Sequence, residues 1–116
     1  MKKIIFLLVV LASITSCKTL TSTTNIKPNE SFVLGNNEHR KAKVKLKNIA
    51  DYDIQVYHAP IDGGKHSSET VKPNQTIIVR VKKNTALVIS NASPIQASVE
   101  LFVTGDLGLS MGYKKQ

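Results

Sequence analysis

Only one side chain in this chain of 116 residues offers a strongly nucleophilic sulfur, the single cysteine Cys17. A thiol becomes a potent nucleophile on deprotonation. Being alone, it excludes an internal disulfide and any cysteine-based metal cluster. The second chemistry-bearing set is Lys41, Lys43, Lys45 and Lys47, spaced by two. On an extended strand that spacing places the four ammonium groups on one face, about 7 Å apart. Neighbouring potentials then add within a Debye length, and the strip suits phosphates or acidic sugars. It also suits a solvated outer face, or an edge kept from pairing with strangers; Arg80 and Lys82, outward on a later strand, would favour binding if that strand lay beside this one. His58, Asp62 and His66 have ligand types that zinc accepts, but a loop containing Pro60, Gly63 and Gly64 gives them no common face. Asp51 and Asp53 offer too few oxygens for calcium, and turn chemistry accounts for Asp51. The chain has no G-x-S-x-G, no glycine-rich phosphate loop and no H-E-x-x-H. Nothing nominates a catalytic residue or a cofactor, and the reading is of a protein that is not an enzyme.

The surroundings of Cys17 assign it a role. Met1-Lys2-Lys3 is a short basic start, and Ile4 to Ala12 is apolar without a break. Such a run suits a secretory leader and is well short of the ~20 residues of a spanning helix. Ile14-Thr15-Ser16-Cys17 then follows. This stretch resembles the lipobox of bacterial lipoproteins: an aliphatic residue, two small residues and an obligatory cysteine. The resemblance implies diacylglyceryl transfer to the Cys17 thiol, cleavage between Ser16 and Cys17, and acylation of the new amino group. The chain would then hold to a membrane through lipid on Cys17, since two or more acyl chains anchor stably where one is marginal. Lys18 is not the aspartate that commonly retains such proteins at the inner membrane, so the resemblance implies sorting to the outer membrane.

Charge bounds the partners. The formal net charge is +8; Lys2 and Lys3 leave with the leader, so fourteen cations against eight acids give the remainder +6. A basic surface favours anionic partners. An exported chain has little access to nucleic acid, which leaves lipid head groups, lipopolysaccharide phosphates and acidic glycans.

The elements that position these residues read as strands. Residues 1–16 form the leader and 17–30 a lipidated, Thr- and Ser-rich tether, mobile and able to reach ~40 Å. Residues 31–116 form one domain, of a size to bury a single core. Within it the period-two pattern is clear. Ala42, Val44 and Leu46 alternate with the lysines; Tyr52, Ile54 and Val56, then Ile77, Val79 and Val81, then Leu87 and Ile89 continue the pattern. Ala97, Val99, Leu101 and Val103 give the cleanest inward face, opposite Ser98, Glu100, Phe102 and Thr104; Phe102, the one aromatic on that polar face, is read either as stacking on a sugar or partner, as Tyr57 and Tyr113 could, or as lying beneath another strand. Ala59 to Ser68 reads as irregular, Thr70-Val71 as a short edge strand, and Leu107 to Tyr113 as a last strand. No internal repeat is apparent.

Short strands at ten-residue intervals predict an all-β sandwich of about six to eight antiparallel strands. Asn48 to Val56, with Val71-Lys72-Pro73-Asn74-Gln75-Thr76, resembles the strand-turn-strand pattern of Ig-like sandwiches in exported bacterial proteins. The Ig tryptophan and cysteine pair are missing. The function expected is that of a non-catalytic envelope lipoprotein binding another envelope component, a protein first. The alternatives are an anionic glycan or lipopolysaccharide held by the lysine strip, and inhibition of an envelope hydrolase.

Overall fold

The computed structural model describes residues 19–115. Ser16, Cys17 and Lys18 lie outside the described residues. The described residues form nine strands: β1 (Thr19–Ile26), β2 (Glu30–Leu34), β3 (Ala42–Asn48), β4 (Ile54–Pro60), β5 (His66–Val71), β6 (Thr76–Val81), β7 (Thr85–Asn91), β8 (Ala97–Gly105) and β9 (Met111–Lys115). They form two antiparallel sheets, ordered β1-β8-β3-β6 and β5-β4-β7-β2-β9. The expected all-β sandwich is what the chain forms.

Within that class the wiring is specific. β1 pairs with β8, β2 with β7, β3 with β6 and β4 with β5. Four nested antiparallel pairs, folded over so that alternate pairs fall in opposite sheets, make a jelly roll. An Ig-like domain divides its strands differently, so the Ig resemblance extends to the sandwich and not to its topology. β9 is an addition, paired to the outer side of β2.

Each sheet turns one face inward. Val44, Leu46, Val79, Val81, Val99 and Leu101 come from the first sheet; Leu34, Ile54, Val56, Leu87 and Ile89 meet them from the second. β7, central in its sheet, is buried on both faces over most of its length, its outward Val88 lying between Tyr57 of β4 and Val33 of β2.

The segment expected to be a free tether is a strand. β1 pairs with β8 residue by residue, from Thr19 opposite Thr104 to Ile26 opposite Ala97. Its inward residues include only one large apolar side chain that is fully buried, Ile26, together with buried Thr24 and partly buried Leu20. Backbone hydrogen bonds to β8 hold what side-chain hydrophobicity did not announce. The stretch 59–68, expected to be irregular throughout, is half strand: β4 continues to Pro60 and β5 starts at His66, leaving 61–65 as the turn, with a register shift between Val56 and His58.

The fold also exposes a repeat. Lys27-Pro28-Asn29-Glu30 joins β1 to β2, and Lys72-Pro73-Asn74-Gln75 joins β5 to β6. Asn29 and Asn74 both take positive φ, 60° and 65°. Each donates its N–H to the carbonyl of a buried asparagine ending a strand, Asn29 to Asn91 at 2.9 Å and Asn74 to Asn48 at 2.7 Å. The Asn48 amide donates to Tyr52 O (2.8 Å) and Val71 O (2.9 Å) and accepts from Ala50 N (2.9 Å). Asn91 donates to Ile26 O and Ile95 O, both at 2.9 Å, and accepts from Ser93 N at 3.0 Å. Two equivalent clamps thus close one end of the sandwich.

Candidate anion-binding face

The outer face of the four-stranded sheet carries the lysine strip. Lys43, Lys45 and Lys47 are on β3 and exposed; Lys41 precedes β3 and is also exposed. They alternate with Ala42, Val44 and Leu46, whose burial against the second sheet forces the lysines outward.

Register supplies the neighbours. Lys43 is flanked by Arg80 on β6 and Thr104 on β8, and Thr19 continues that row. Lys45 lies between Ile78 and Phe102, with Thr21 beyond; Lys47 lies between Thr76 and Glu100. The strip is therefore graded. At the Thr19 end a lysine faces an arginine, an unfavourable cross-strand pair. At the far end Lys47 has a carboxylate beside it. Phe102 is not beneath another strand: it is 42% exposed and Ile78 60% exposed, one on each side of Lys45.

Beyond the Lys43–Arg80 row, two segments add charge and are held together. Arg40-Lys41 leads into β3, and Lys82-Lys83-Asn84 turns from β6 to β7. His39 N donates to Asn84 Oδ1 at 3.1 Å, and Asn84 N to His39 O at 3.3 Å. The buried His39 ring bonds through Nε2 to Thr85 O (2.9 Å) and Gly35 O (3.1 Å), while Nδ1 lies against Arg40 O. Asp106 completes the frame, accepting from Arg40 N and Gly108 N, each at 2.8 Å. The backbone N–H of Arg40, then that of Gly108, hold its carboxyl below the ordinary range. Gly105, with φ 98°, lets β8 end against this lead-in: a Cβ there would lie 2.9 Å from Lys41 O. Neutral hydrogen bonds thus keep like-charged segments side by side.

The face has two open depressions. One is lined by Lys41, Lys43, Arg80, Lys82 and Thr104. The other is lined by Thr21, Lys45, Lys47, Thr76, Glu100 and Phe102. Ammonium and guanidinium groups donate to phosphate, sulfate or carboxylate. Threonine hydroxyls can bond sugar hydroxyls, and a Phe102 ring offers a flat apolar contact.

The other sequence candidates fall elsewhere. His58 and His66 are opposite one another on β4 and β5. Among the described residues no group of three or more His, Cys, Asp or Glu could hold a metal ion. Burial pushes His58 down from its ordinary value, Lys82 and His66 push the same way, and Glu69 opposes. Cys17 and Ser16 fall outside the described residues. Sequence reasoning named Arg80 and Lys82 without placing them, and missed Ile78 and Thr104 as neighbours; strand order is the missing information.

No protein-family model and no curated protein matches the chain. Solved structures do. The fold is similar to part of a capsular polysaccharide assembling protein, CapF, from Staphylococcus aureus, at 14% identity and a TM-score of 0.58, covering 78% of this chain and 25% of that one. It is also similar to part of procruciferin, an 11S globulin from Brassica napus, at 14% identity and a TM-score of 0.54, covering 81% of this chain and 22% of that one. The chain spans about a quarter of the length of these structures. The likeness concerns fold alone.

Proposed function

We propose that this chain is a non-catalytic, lipid-anchored protein of the bacterial envelope whose four-stranded sheet binds an anionic envelope component, an acidic glycan or lipopolysaccharide. The lipobox-like Ile14-Thr15-Ser16-Cys17 supports the anchor and the envelope location. The observation that carries the binding reading is Lys43 directly opposite Arg80. Opposite or neutral residues would be more stable there, and a bound anion offsets the cost. Binding of the chain to an acidic polysaccharide should weaken steeply with salt, as contacts of exposed charges do. The double variant K43E/R80E should lose it and K114E, on the other sheet, should keep it. Binding unchanged in K43E/R80E would overturn the reading.

A protein partner is the second reading, favoured by a different patch. Ile49, Tyr52 and Ile95 are 39%, 44% and 47% exposed at the clamped end of the sandwich. Tyr52 also lines a shallow depression between the 51–53 and 92–93 segments. Exposed aromatic and aliphatic groups in one place favour an interface. A pull-down from native envelopes with Y52A beside the wild type tests it: one protein lost only in Y52A supports it.

A further inference from the structure

We infer that the anionic partner is the surface of the very membrane that holds the anchor, and that the sandwich stands on it with its Lys41–Lys43–Arg80–Lys82 end down. The inference rests on the proposed lipid anchor and anion-binding face, and names their ligand as phosphate-bearing lipid head groups.

Two independent observations meet. The first is the missing spacer. β1 begins at Thr19 and is paired from that residue onward. Only Lys18 separates Thr19 from Cys17, and two residues reach at most about 7 Å. A lipid on Cys17 therefore holds the Thr19 end of the first sheet at the bilayer, whatever the conformation between them.

The second is where the charge sits. Thr19, Thr104, Lys43 and Arg80 share one row across the sheet. Arg40, Lys41, Lys82 and Lys83 lie beyond that row at the same end, all exposed. The nearby acids are Glu38 and Asp106, and Asp106 already accepts two backbone N–H groups; Glu69, which acts on His58 together with Lys82, lies mid-strand on β5 in the other sheet. The β4–β5 turn, joined to this end by Ile61 N donating to Asn84 O, adds Lys65 and Asp62, one of each sign. The opposite end is close to balanced: Lys27, Lys47, Lys72, Lys114 and Lys115 are set against Glu30, Asp51, Asp53 and Glu100. The chain thus emerges from the basic end, although nothing in the fold's stability asks for like charges there. A basic cluster beside a lipid anchor is the pairing by which peripheral proteins lie on anionic membranes.

The lone cysteine makes the test direct. The chain from Cys17 onward is coupled through its thiol to maleimide-bearing lipid, in vesicles of phosphatidylcholine alone or with phosphatidylglycerol. Lysines are then labelled with an acylating reagent and located by mass spectrometry. On anionic vesicles Lys43, Lys82 and Lys83 should be labelled several-fold more slowly than on neutral ones; Lys27, Lys72 and Lys114 should be unchanged, and high salt should erase the difference. Uncoupled chain should partition onto anionic vesicles, and folded K43Q/R80Q should do so about 30-fold more weakly, at about fivefold per cation removed. Equal labelling on both vesicle types, alongside retained binding of soluble acidic polysaccharide, overturns the inference and leaves the proposed function standing. Equal labelling with no polysaccharide binding overturns both. Protection centred on Lys27, Lys72 and Lys114 overturns the orientation.

Discussion

If the basic row serves a ligand, it should cost the free protein stability, and that cost is measurable. Lys43 and Arg80 face each other across β3 and β6, both exposed. Cross-strand Cβ atoms lie about 5 Å apart, and splayed head groups about 6 Å. In water, two like charges at about 6 Å repel by about 0.7 kcal/mol. Screening at physiological ionic strength leaves about 0.3 kcal/mol, and at molar salt about 0.1 kcal/mol. A double-mutant cycle on K43Q, R80Q and K43Q/R80Q isolates this term, because glutamine keeps much of the stem and removes the charge. In dilute buffer each single variant should melt higher than the wild type by a few degrees, since about 1 kcal/mol shifts a domain of this size by about 4–8 °C. The second substitution should add less than the first. The coupling should fade between dilute buffer and molar salt, while the same variants lose anion binding. A coupling of zero or of attractive sign in dilute buffer, measured by thermal or urea unfolding, would refute the argument that this pair is retained at a cost.

Other perturbations report on the frame around the face. N48A and N91A should each lower the unfolding free energy by about 2–4 kcal/mol, because several buried backbone groups lose their partner at about 1 kcal/mol each or more; urea midpoints check this, with exposed Asn36→Ala as the comparison. The Asp106 carboxyl is held below its ordinary value of 3.8, so its contribution is complete above that pH and is lost as pH falls through the folded value. The melting temperatures of D106N and wild type should therefore converge in acid and separate near neutrality. His58 is held below 6.5, so below that pH the unfolded chain takes up the proton first and stability falls. H58Q should lose less melting temperature than wild type between pH 7.5 and 5.5. Gly105→Ala should loosen the Arg40–Lys41 lead-in, since its Cβ meets Lys41 O at 2.9 Å, and faster amide exchange at Asp106 and Ala42 would register it.

Strands with one apolar face were legible because burial writes period two into the residues themselves. Ala42 to Leu46, Ile77 to Val81 and Ala97 to Val103 all lie with the expected side inward. β1 was not legible. Its sequence, TLTSTTNI, offers little to bury, and what holds it is the unpaired backbone edge of β8, which no local pattern records. β5 was legible only at its end: Thr70-Val71 reads as an edge strand and lies in one, but the exposed HSSE before it gave no pattern to read. The lysine strip was legible as a strip, but its gradient was not, because Arg80 and Glu100 meet it only through strand order. One overlooked signal was available. Lys-Pro-Asn-Glu and Lys-Pro-Asn-Gln recur 45 residues apart, and two like turns at that separation mark equivalent corners of a doubled chain.

The pairing of β1 has a mechanical consequence. For a chain held at Cys17, the first strand is both the link to the bilayer and a member of the sheet. A pull that draws the domain straight off the surface runs along β1, so its hydrogen bonds to β8, over eight paired residues, share the force in shear. A sideways drag bends the chain at Thr19 and opens the same bonds one after another from that end. The protein would therefore resist lifting far better than peeling, and the direction of the force, more than its size, would decide whether the sheet survives.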